Sequence, residues 1–237
     1  KLLHSWRVQT SRNRTSDELG LLLSLLIQSK QVKIEKIEHV AIACVVPPMI
    51  RAFKEMSVKY FHQEPFFIEP GIKTGMPILY DNPKEVGADR IVNSVAAYRE
   101  YGAPIVVVDF GTATTFDVIS SRGEYIGGVI APGIRISSEA LFQHAARLPR
   151  VEIVYPECVI GKNTIASMQS GLFYGYIGLV NEISSRIVNE LNQECTFIGT
   201  GGLVELIAPF SKYPMVVDID LTLKGITILY ELNINNE

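Results

Sequence analysis

Runs of apolar residues, separated by glycine and proline, divide this sequence into predicted strands and helices. The clearest run is Ile105 to Val108, four consecutive β-branched residues of the kind found in strands that are buried on both faces. Because the run stops at Asp109, we expect this acid at the carboxyl end of a strand. Two further strands are predicted directly afterwards, at 114–120 and 124–131, and a turn at 122–123 joins them.

Helices are predicted between the remaining, shorter strands. Thr15 and Glu18 have the spacing of a capping box, which indicates a helix that runs to about Lys30. The other predicted helices lie at 48–61, 89–101, 133–147, 161–192, 202–208 and 221–232. The other predicted strands lie at 2–9, 40–46, 66–69, 197–200 and 215–218.

The order of these elements indicates an α/β protein with two similar halves. Strand hairpins followed by alternating helices and strands occur twice, on either side of Gly102-Ala103-Pro104. No repeat in the residues themselves supports the division, which depends on element order alone. We therefore predict two domains, at 1–102 and 103–237.

Composition and charge limit the kinds of partner. The chain has 237 residues, of which 47% are hydrophobic and 20% charged, as in one large globular domain or two modest ones. Its net charge is −3 and no dense cluster of lysine and arginine occurs, so we expect no nucleic-acid partner. The apolar stretch 19–27 is too short to cross a bilayer, and we expect no membrane partner. The three cysteines lack metal-ligand spacing and are predicted to be buried free thiols in a reducing cytoplasm.

Two glycine-rich turns follow buried strands in the second half, at 109–112 and 199–202. Crevices that bind ligands form at the carboxyl ends of strands in α/β sheets, so these turns are candidates for holding a nucleotide. Neither turn matches the P-loop or the Rossmann pattern. The alternative interpretation of the first turn is an ordinary hairpin, whose threonines are present for their β-propensity.

Five short motifs then resemble, in order, those of the type III pantothenate kinase family. They are Gly87-Ala88-Asp89-Arg90, the stretch 109–114, Gly127-Gly128 with 131–133, the stretch 161–164, and the stretch 199–202. This family is part of the acetate and sugar kinase, Hsp70 and actin superfamily. The resemblance implies two ribonuclease-H-like, actin-like ATPase domains with a central cleft.

The resemblance also implies an activity, namely the ATP-dependent phosphorylation of pantothenate to 4'-phosphopantothenate, the first step of coenzyme A biosynthesis. The main rival is a non-catalytic, nucleotide-binding regulator that is similar to the Bvg accessory factor, and a second is another kinase of the superfamily. The presence of both Asp89 and Asp109 favours the enzyme. The implied cofactors are ATP, Mg²⁺, and K⁺ or NH₄⁺.

The resemblance assigns roles to individual residues. Asp89 is the expected catalytic base, and Asp109 the expected ligand of the monovalent cation. The expected pantothenate contacts are Tyr80, Gly87, Ala88, Asp89, Arg90 and Thr164, and the expected ATP contacts are Gly111, Thr112, Gly201 and Gly202. Structural roles remain open for three of them: Asp89 as a helix-start acid paired with Arg90, Tyr80 as a surface aromatic residue, and Thr164 as a helix N-cap.

One departure from the family concerns the start of the chain. Family members begin with a hairpin that carries an Asp-x-Gly-Asn-Thr turn for the ATP phosphates and magnesium, and nothing here matches this turn. We expect the motif, with the first strands of the N-terminal domain, to lie upstream of Lys1 in the full-length protein.

Glycines in the longest predicted helix point to self-association. Gly171, Gly175 and Gly178 lie on one helical face, and each costs roughly 1 kcal/mol relative to alanine in a helix interior. Close helix packing would offset this cost, and the family resemblance implies a dimer built around this region. We therefore expect a homodimer with these glycines at or near its two-fold contact.

Overall fold

A computed structural model describes residues 1–234 and confirms the predicted α/β class. Its main helices and strands, in chain order, are α1 Ser16–Ser29, β1 Ala41–Ile42, α2 Pro47–Met56, β2 Phe66–Phe67, α3 Ala88–Tyr101, β3 Ile105–Phe110, β4 Ala113–Ile119, β5 Tyr125–Pro132, α4 Ile134–His144, α5 Thr164–Leu191, β6 Thr196–Thr200, α6 Val204–Ile207, β7 Met215–Val217 and α7 Leu221–Ile234. Short 3₁₀ turns lie at Ile34–Lys36, Pro83–Glu85 and Ala208–Phe210, and a π-turn at Ser57–Phe61 continues from α2.

The chain forms two compact units. Among the described residues, the first consists of 1–75, 82–95 and 222–234, and the second of 76–81 and 96–221. These ranges differ from the predicted domains 1–102 and 103–237, because the last helix groups with the first unit and residues 76–81 group with the second. The predicted domain boundary stays a prediction.

The first helix begins where its capping box predicted. Thr15 accepts a hydrogen bond from the amide of Glu18 at 3.2 Å, and Glu18 accepts one from the amide of Thr15 at 2.7 Å. These bonds satisfy amides that the helix itself leaves without partners. Helix α1 packs against α2 through a small apolar core of Leu19, Met49, Met56 and Phe61.

The strands of the first unit are shorter than predicted, and one predicted strand is wrong. The parallel pair β1–β2 consists of two residues from each strand. Residues 2–9 form no strand and are exposed, with Leu3 at 78%. An alternating apolar pattern becomes a strand only when another strand satisfies its backbone, and no part of the chain between 1 and 234 pairs with this segment.

Helix α7 holds the amino-terminal half of α3 at close range. A Cβ on Gly225 would collide with the carbonyl oxygen of Val92, so the backbones of the two helices are in close contact here. The Thr222 hydroxyl also donates a hydrogen bond to Asn93 Oδ1 at 2.7 Å. This contact fixes the first turns of α3, which carry the motif residues 88–90.

The second unit is built on a five-stranded sheet with the order β5-β4-β3-β6-β7. Strands β3, β6 and β7 are parallel, whereas β4 and β5 run antiparallel to their neighbours. One face of the sheet packs on α5 in a core that includes Val106, Val108, Phe116 and Phe173. The three cysteines are free, as predicted, but Cys158 is exposed and Cys44 and Cys195 are only half-buried, so their predicted burial is wrong.

The opposite face of the same sheet carries polar side chains. Residues alternate between faces along a strand, so the residues next to Val106, Val108 and Phe116 in the chain point away from α5. On this second face Asp109 lies opposite Thr115, and Val107 lies opposite Asp117. Sequence pattern alone did not predict that acids of two strands share one face.

Candidate active site

The two glycine-rich turns lie side by side at one edge of the sheet of the second unit. Strands β3 and β6 are parallel neighbours, with Asp109 opposite Thr200, so both turns leave the sheet at the same end. Gly201 has a φ of +92°, and a Cβ there would collide with Asp109 Oδ1 and lie 2.7 Å from the Phe110 backbone nitrogen. The prediction that both turns lie at strand carboxyl ends is confirmed.

Helix α4 closes the same edge from another side. A Cβ on Gly133, the N-cap residue of α4, would collide with the carbonyl oxygen of Thr112 and lie 2.8 Å from that of Gly111. The amino terminus of this helix therefore packs directly on the first glycine turn. Helix amino termini present free amides and a partial positive charge, which suit phosphate oxygens. Thr112 is exposed, and its hydroxyl makes no hydrogen bond with any residue from 1 to 234.

The second unit contains a buried tyrosine, Tyr176, whose pKa is raised mainly by burial. Tyr176 of α5 is 6% exposed, and its hydroxyl contacts that of Thr114 on β4. Burial raises the pKa of Tyr176, hydrogen bonds from Thr114 and Ile134 oppose this, and the negative charge of Asp109 adds a smaller increase. The hydroxyl of Tyr176 therefore stays protonated at neutral pH.

A cavity of about 440 Å³ lies beyond the second glycine turn, in the second unit. Its lining includes Arg135 at the start of α4, Arg150, Ile153, and Leu203 directly after the turn. Arg150 pairs with Glu139 at 2.7 Å, and this guanidinium lowers the pKa of the Glu139 carboxyl. The volume falls within the usual range for small-ligand sites. Sequence reasoning missed the cavity because its walls come from three separate stretches; only the nearness of Leu203 to the glycine turn signalled it.

Tyr80 is held on the edge of the same unit. Residues 77–79 pair with β5, through hydrogen bonds from Leu79 N to Tyr125 O at 2.8 Å and from Tyr125 N to Pro77 O at 2.9 Å. The ring of Tyr80 lies 6.2 Å from that of Tyr125. Its hydroxyl has no hydrogen-bond partner among residues 1–234 and is available to a ligand.

Asp89 lies in the first unit, in the first turn of α3. Its Oδ1 accepts a hydrogen bond from the amide of Arg90 at 2.9 Å and would lie 2.5 Å from a Cβ on Gly87. The carboxylate therefore folds over Gly87 at the helix start. Arg90 follows it and is 7% exposed.

Thr164 is the first residue of α5 and not its N-cap, so the structural role considered for it is wrong. Asn163 is the cap, and its side chain accepts a hydrogen bond from Ala166 N at 2.8 Å. The reason is local, since an asparagine oxygen reaches the free amide of the third helical residue from the N-cap position. Thr164 is exposed, and no residue between 1 and 234 bonds its hydroxyl.

The predicted site residues are divided between the two units. Asp109, Gly111, Thr112 and Gly201 lie at one sheet edge of the second unit. Tyr80 and Thr164 lie elsewhere in that unit, whereas the motif 87–90 belongs to the first unit. Within residues 1–234, no group of three histidine, cysteine, aspartate or glutamate side chains is arranged to hold a metal ion.

An acid between two glycine turns, next to a helix amino terminus, is an arrangement of phosphate-binding α/β proteins. The fold agrees with a solved structure from Campylobacter jejuni, described as a Baf family transcriptional activator. That chain superimposes with a TM-score of 0.59, at 22% identity, over 89% of each chain. A likeness at this identity shows the fold alone.

The sequence comparisons are more specific. The family model of type III pantothenate kinase matches residues 1–186. A type III pantothenate kinase from Pelobacter propionicus is 54% identical over 98% of this chain and 92% of its own length. One from Myxococcus xanthus is also 54% identical, over 98% of this chain and 91% of its own length. The chain belongs to the type III pantothenate kinase family.

In residues 1–234, no helix has the length and apolar character needed to cross a membrane.

Proposed function

We propose that this chain phosphorylates the primary hydroxyl of pantothenate with ATP, giving 4'-phosphopantothenate for coenzyme A biosynthesis, and that Asp89 is the base of this reaction. Family membership supports the activity. The observation that carries the proposal for the site is the pair of glycine turns at the ends of β3 and β6, with the Asp109 carboxylate against Gly201.

The reaction requires little covalent chemistry from the protein. The pantothenate oxygen attacks the γ-phosphorus of ATP, the bond to the β,γ-bridging oxygen breaks, and ADP leaves with that electron pair. The transition state is loose, so the hydroxyl proton is lost late and a carboxylate of ordinary basicity is sufficient to accept it. Asp89 takes this proton. It lies in the first turn of α3.

The ATP phosphates are bound by main-chain amides at the sheet edge. Gly111 and Thr112 form one side and Gly201 and Gly202 the other, with the Thr112 hydroxyl as an additional donor. The position of the cavity after Gly202 suits the adenosine end of the nucleotide. There Arg135 supplies a positive charge at the start of α4.

A kinase of this family uses ATP together with a divalent metal ion, and we assign Mg²⁺ to that role. Mg²⁺ keeps most of its waters and binds through one or two carboxylates and the substrate phosphates. Asp109, the acid of the first glycine turn, fits such an ion or a K⁺ or NH₄⁺ ion, and we assign it to the monovalent cation. These cations supply positive charge beside the phosphates, where repulsion among anions is greatest.

For pantothenate we assign two hydroxyls of the second unit and the residues of the motif 87–90. The hydroxyls of Tyr80 and Thr164 have no partners among residues 1–234. Gly87 and Ala88 let a substrate approach the helix start, and Arg90 offers a charge suited to the pantothenate carboxylate. These assignments rest on the resemblance of the motifs and on the free hydroxyls.

The glycine face of α5 is the proposed contact between two copies of the chain. Gly171, Gly175 and Gly178 are exposed on α5, and no heavy atom lies within 4 Å of a Cβ built on them. A second copy of the chain packed on this face would use that open space, which supports a homodimer. A net charge of −3 gives no reason for a nucleic-acid partner, and we propose that the enzyme works in the cytoplasm.

Coupled measurement of ADP release on the full-length protein tests the function. We expect ADP release that requires pantothenate and is faster in potassium than in sodium buffer. ATP binding without pantothenate-dependent turnover would support a non-catalytic regulator instead. Turnover with a sugar or a carboxylate, but not with pantothenate, would identify another kinase of the superfamily.

A further inference from the structure

Asp117 is a buried carboxylate of the second unit for which the reaction described above has no role. It lies on β4 and is 0% exposed. Its oxygens accept hydrogen bonds from the Tyr125 hydroxyl at 2.9 Å and from the Thr115 hydroxyl at 3.1 Å. Burial of a carboxylate is costly, and an apolar residue here would avoid that cost. The hydrogen bonds therefore indicate a positioning role.

A bulge in β5 places the Tyr125 hydroxyl on the same face as Asp117. Tyr125 lies opposite Ile119, but Gly127 lies opposite Val118, so β5 has one extra residue at this point. Residues opposite each other on paired strands share a face, so Tyr125 shares the face of Ile119. Asp117 lies two positions from Ile119 along β4 and is on that face as well. Without the extra residue, the register would slip by one and the hydroxyl would lie on the opposite face.

Tyr125 in turn supports Tyr80. The two rings lie 6.2 Å apart, and the backbone of Tyr125 makes both hydrogen bonds that attach residues 77–79 to the sheet. Gly127 also lies beside the Tyr80 ring: its φ is +126°, and a Cβ there would lie 3.8 Å from the ring. The orientation of Tyr80 thus depends on Tyr125, which is itself held by Asp117.

We propose that Asp117 is a positioning residue for pantothenate binding, acting through Tyr125 to fix the ring of Tyr80. This inference depends on the proposed contact between Tyr80 and pantothenate. Asp117 does not touch the substrate, since it is fully buried. Its effect is to hold Tyr80 in one orientation before pantothenate binds, which lowers the entropic cost of binding.

Steady-state kinetics of the full-length enzyme test this role. Tyr125→Phe keeps the ring and removes the hydrogen bond, and Asp117→Asn removes the charge. We expect either change to raise the KM for pantothenate about five- to twentyfold, as for loss of a hydrogen bond to a buried charge, with the KM for ATP unchanged within about twofold. In a Tyr80→Ala background, Tyr125→Phe should cause no further increase.

Ser120→Ala is the matched control. It removes a 2.8 Å hydrogen bond to Glu124 in the same β4–β5 hairpin and leaves Tyr80 untouched, so both KM values should stay at the wild-type level. A parallel rise of both KM values in Tyr125→Phe, or an additive rise in the double variant, would overturn the positioning role. Tyr125→Phe decides the matter if Asp117→Asn does not fold.

The same experiment separates this inference from the proposed function. If Tyr80→Ala leaves the KM for pantothenate unchanged, the proposed contact between Tyr80 and the substrate is wrong, and the positioning role falls with it. If Tyr80→Ala raises that KM but Tyr125→Phe does not, only the positioning role is wrong.

Discussion

Gly201 lies directly against the Asp109 carboxylate, and a side chain at position 201 would collide with it. Its φ of +92° is disfavoured for residues with a Cβ, and a Cβ would collide with Asp109 Oδ1. Strand β6 therefore brings its turn into contact with the acid at the end of β3. The backbones of the two glycine turns therefore lie in close contact at this edge of the sheet.

Gly201→Ala should impair ATP binding more than folding. We expect the KM for ATP to rise at least about tenfold, because the left-handed backbone costs about 1–3 kcal/mol for alanine and the collision displaces Asp109. Gly71→Ala is the control, since Gly71 has a φ of +107° but nothing within 4 Å of a built Cβ. That variant should lose stability alone. An unchanged KM for ATP in Gly201→Ala would contradict the assignment of this turn to ATP.

Asp89→Asn should lower kcat by roughly 100-fold or more, as expected for loss of a general base. Asp17→Asn is a matched control, because Asp17 also lies in the first turn of a helix of the first unit. It pairs with Lys59 at 2.6 Å, so its loss should affect stability and leave kcat unchanged. Near-normal turnover of Asp89→Asn in the ADP-release assay would remove this residue from the role of base.

Gly175→Ala distinguishes a monomer surface from a dimer contact. Within one chain, the substitution should stabilise α5 by up to about 1 kcal/mol, because the site is helical and open. In a dimer packed on this face, the added methyl group should raise the dimer dissociation constant. Asn189→Ala, at an exposed site about 21 Å further along the helix, should leave association unchanged.

Sedimentation equilibrium at micromolar concentration measures the effect of Gly175→Ala. The unmodified protein should sediment as a dimer. A monomer under these conditions would refute the homodimer, and a dimer of the same affinity in Gly175→Ala would place the contact away from the glycines.

The capping box of α1 predicts a loss of stability in acid. Hydrogen bonds from the Thr15 amide and then from its hydroxyl lower the pKa of Glu18 in the folded protein. A carboxyl whose folded-state pKa is lowered stabilises the fold above its ordinary pKa of about 4.3. This stabilisation is lost as the pH falls through the folded-state value. We expect Glu18→Gln, which keeps a capping side chain, to show a shallower loss of stability between about pH 5 and pH 3.

Urea denaturation at several pH values measures this difference. Glu55→Gln serves for comparison, because it also removes a carboxyl whose folded-state pKa is lowered, chiefly by Arg51 on α2, but leaves the capping box of Thr15 and Glu18 in place. Identical pH profiles for the wild-type protein and Glu18→Gln would show that the cap does not contribute to acid sensitivity.

Elements defined by local interactions were predictable from the sequence. The capping box located the start of α1, and the β-branched run Ile105 to Val108 located β3. Both signals depend on residues close together in the chain, whose distances in the folded protein are fixed by the local backbone conformation. The segment 2–9 has an equally clear alternating pattern, yet it forms no strand, because pairing depends on residues that are distant in sequence.

The sequence by itself therefore determined the α/β class, the main helices and the glycine turns at strand ends, since propensities and caps act over a few residues. Only the tertiary structure decided that Gly201 meets Asp109, that a cavity follows Gly202, and that a bulge turns Tyr125 toward Asp117. The physical reason is register. Which side chains share a face or an edge depends on how strands pair, and a slip of one residue would reverse it.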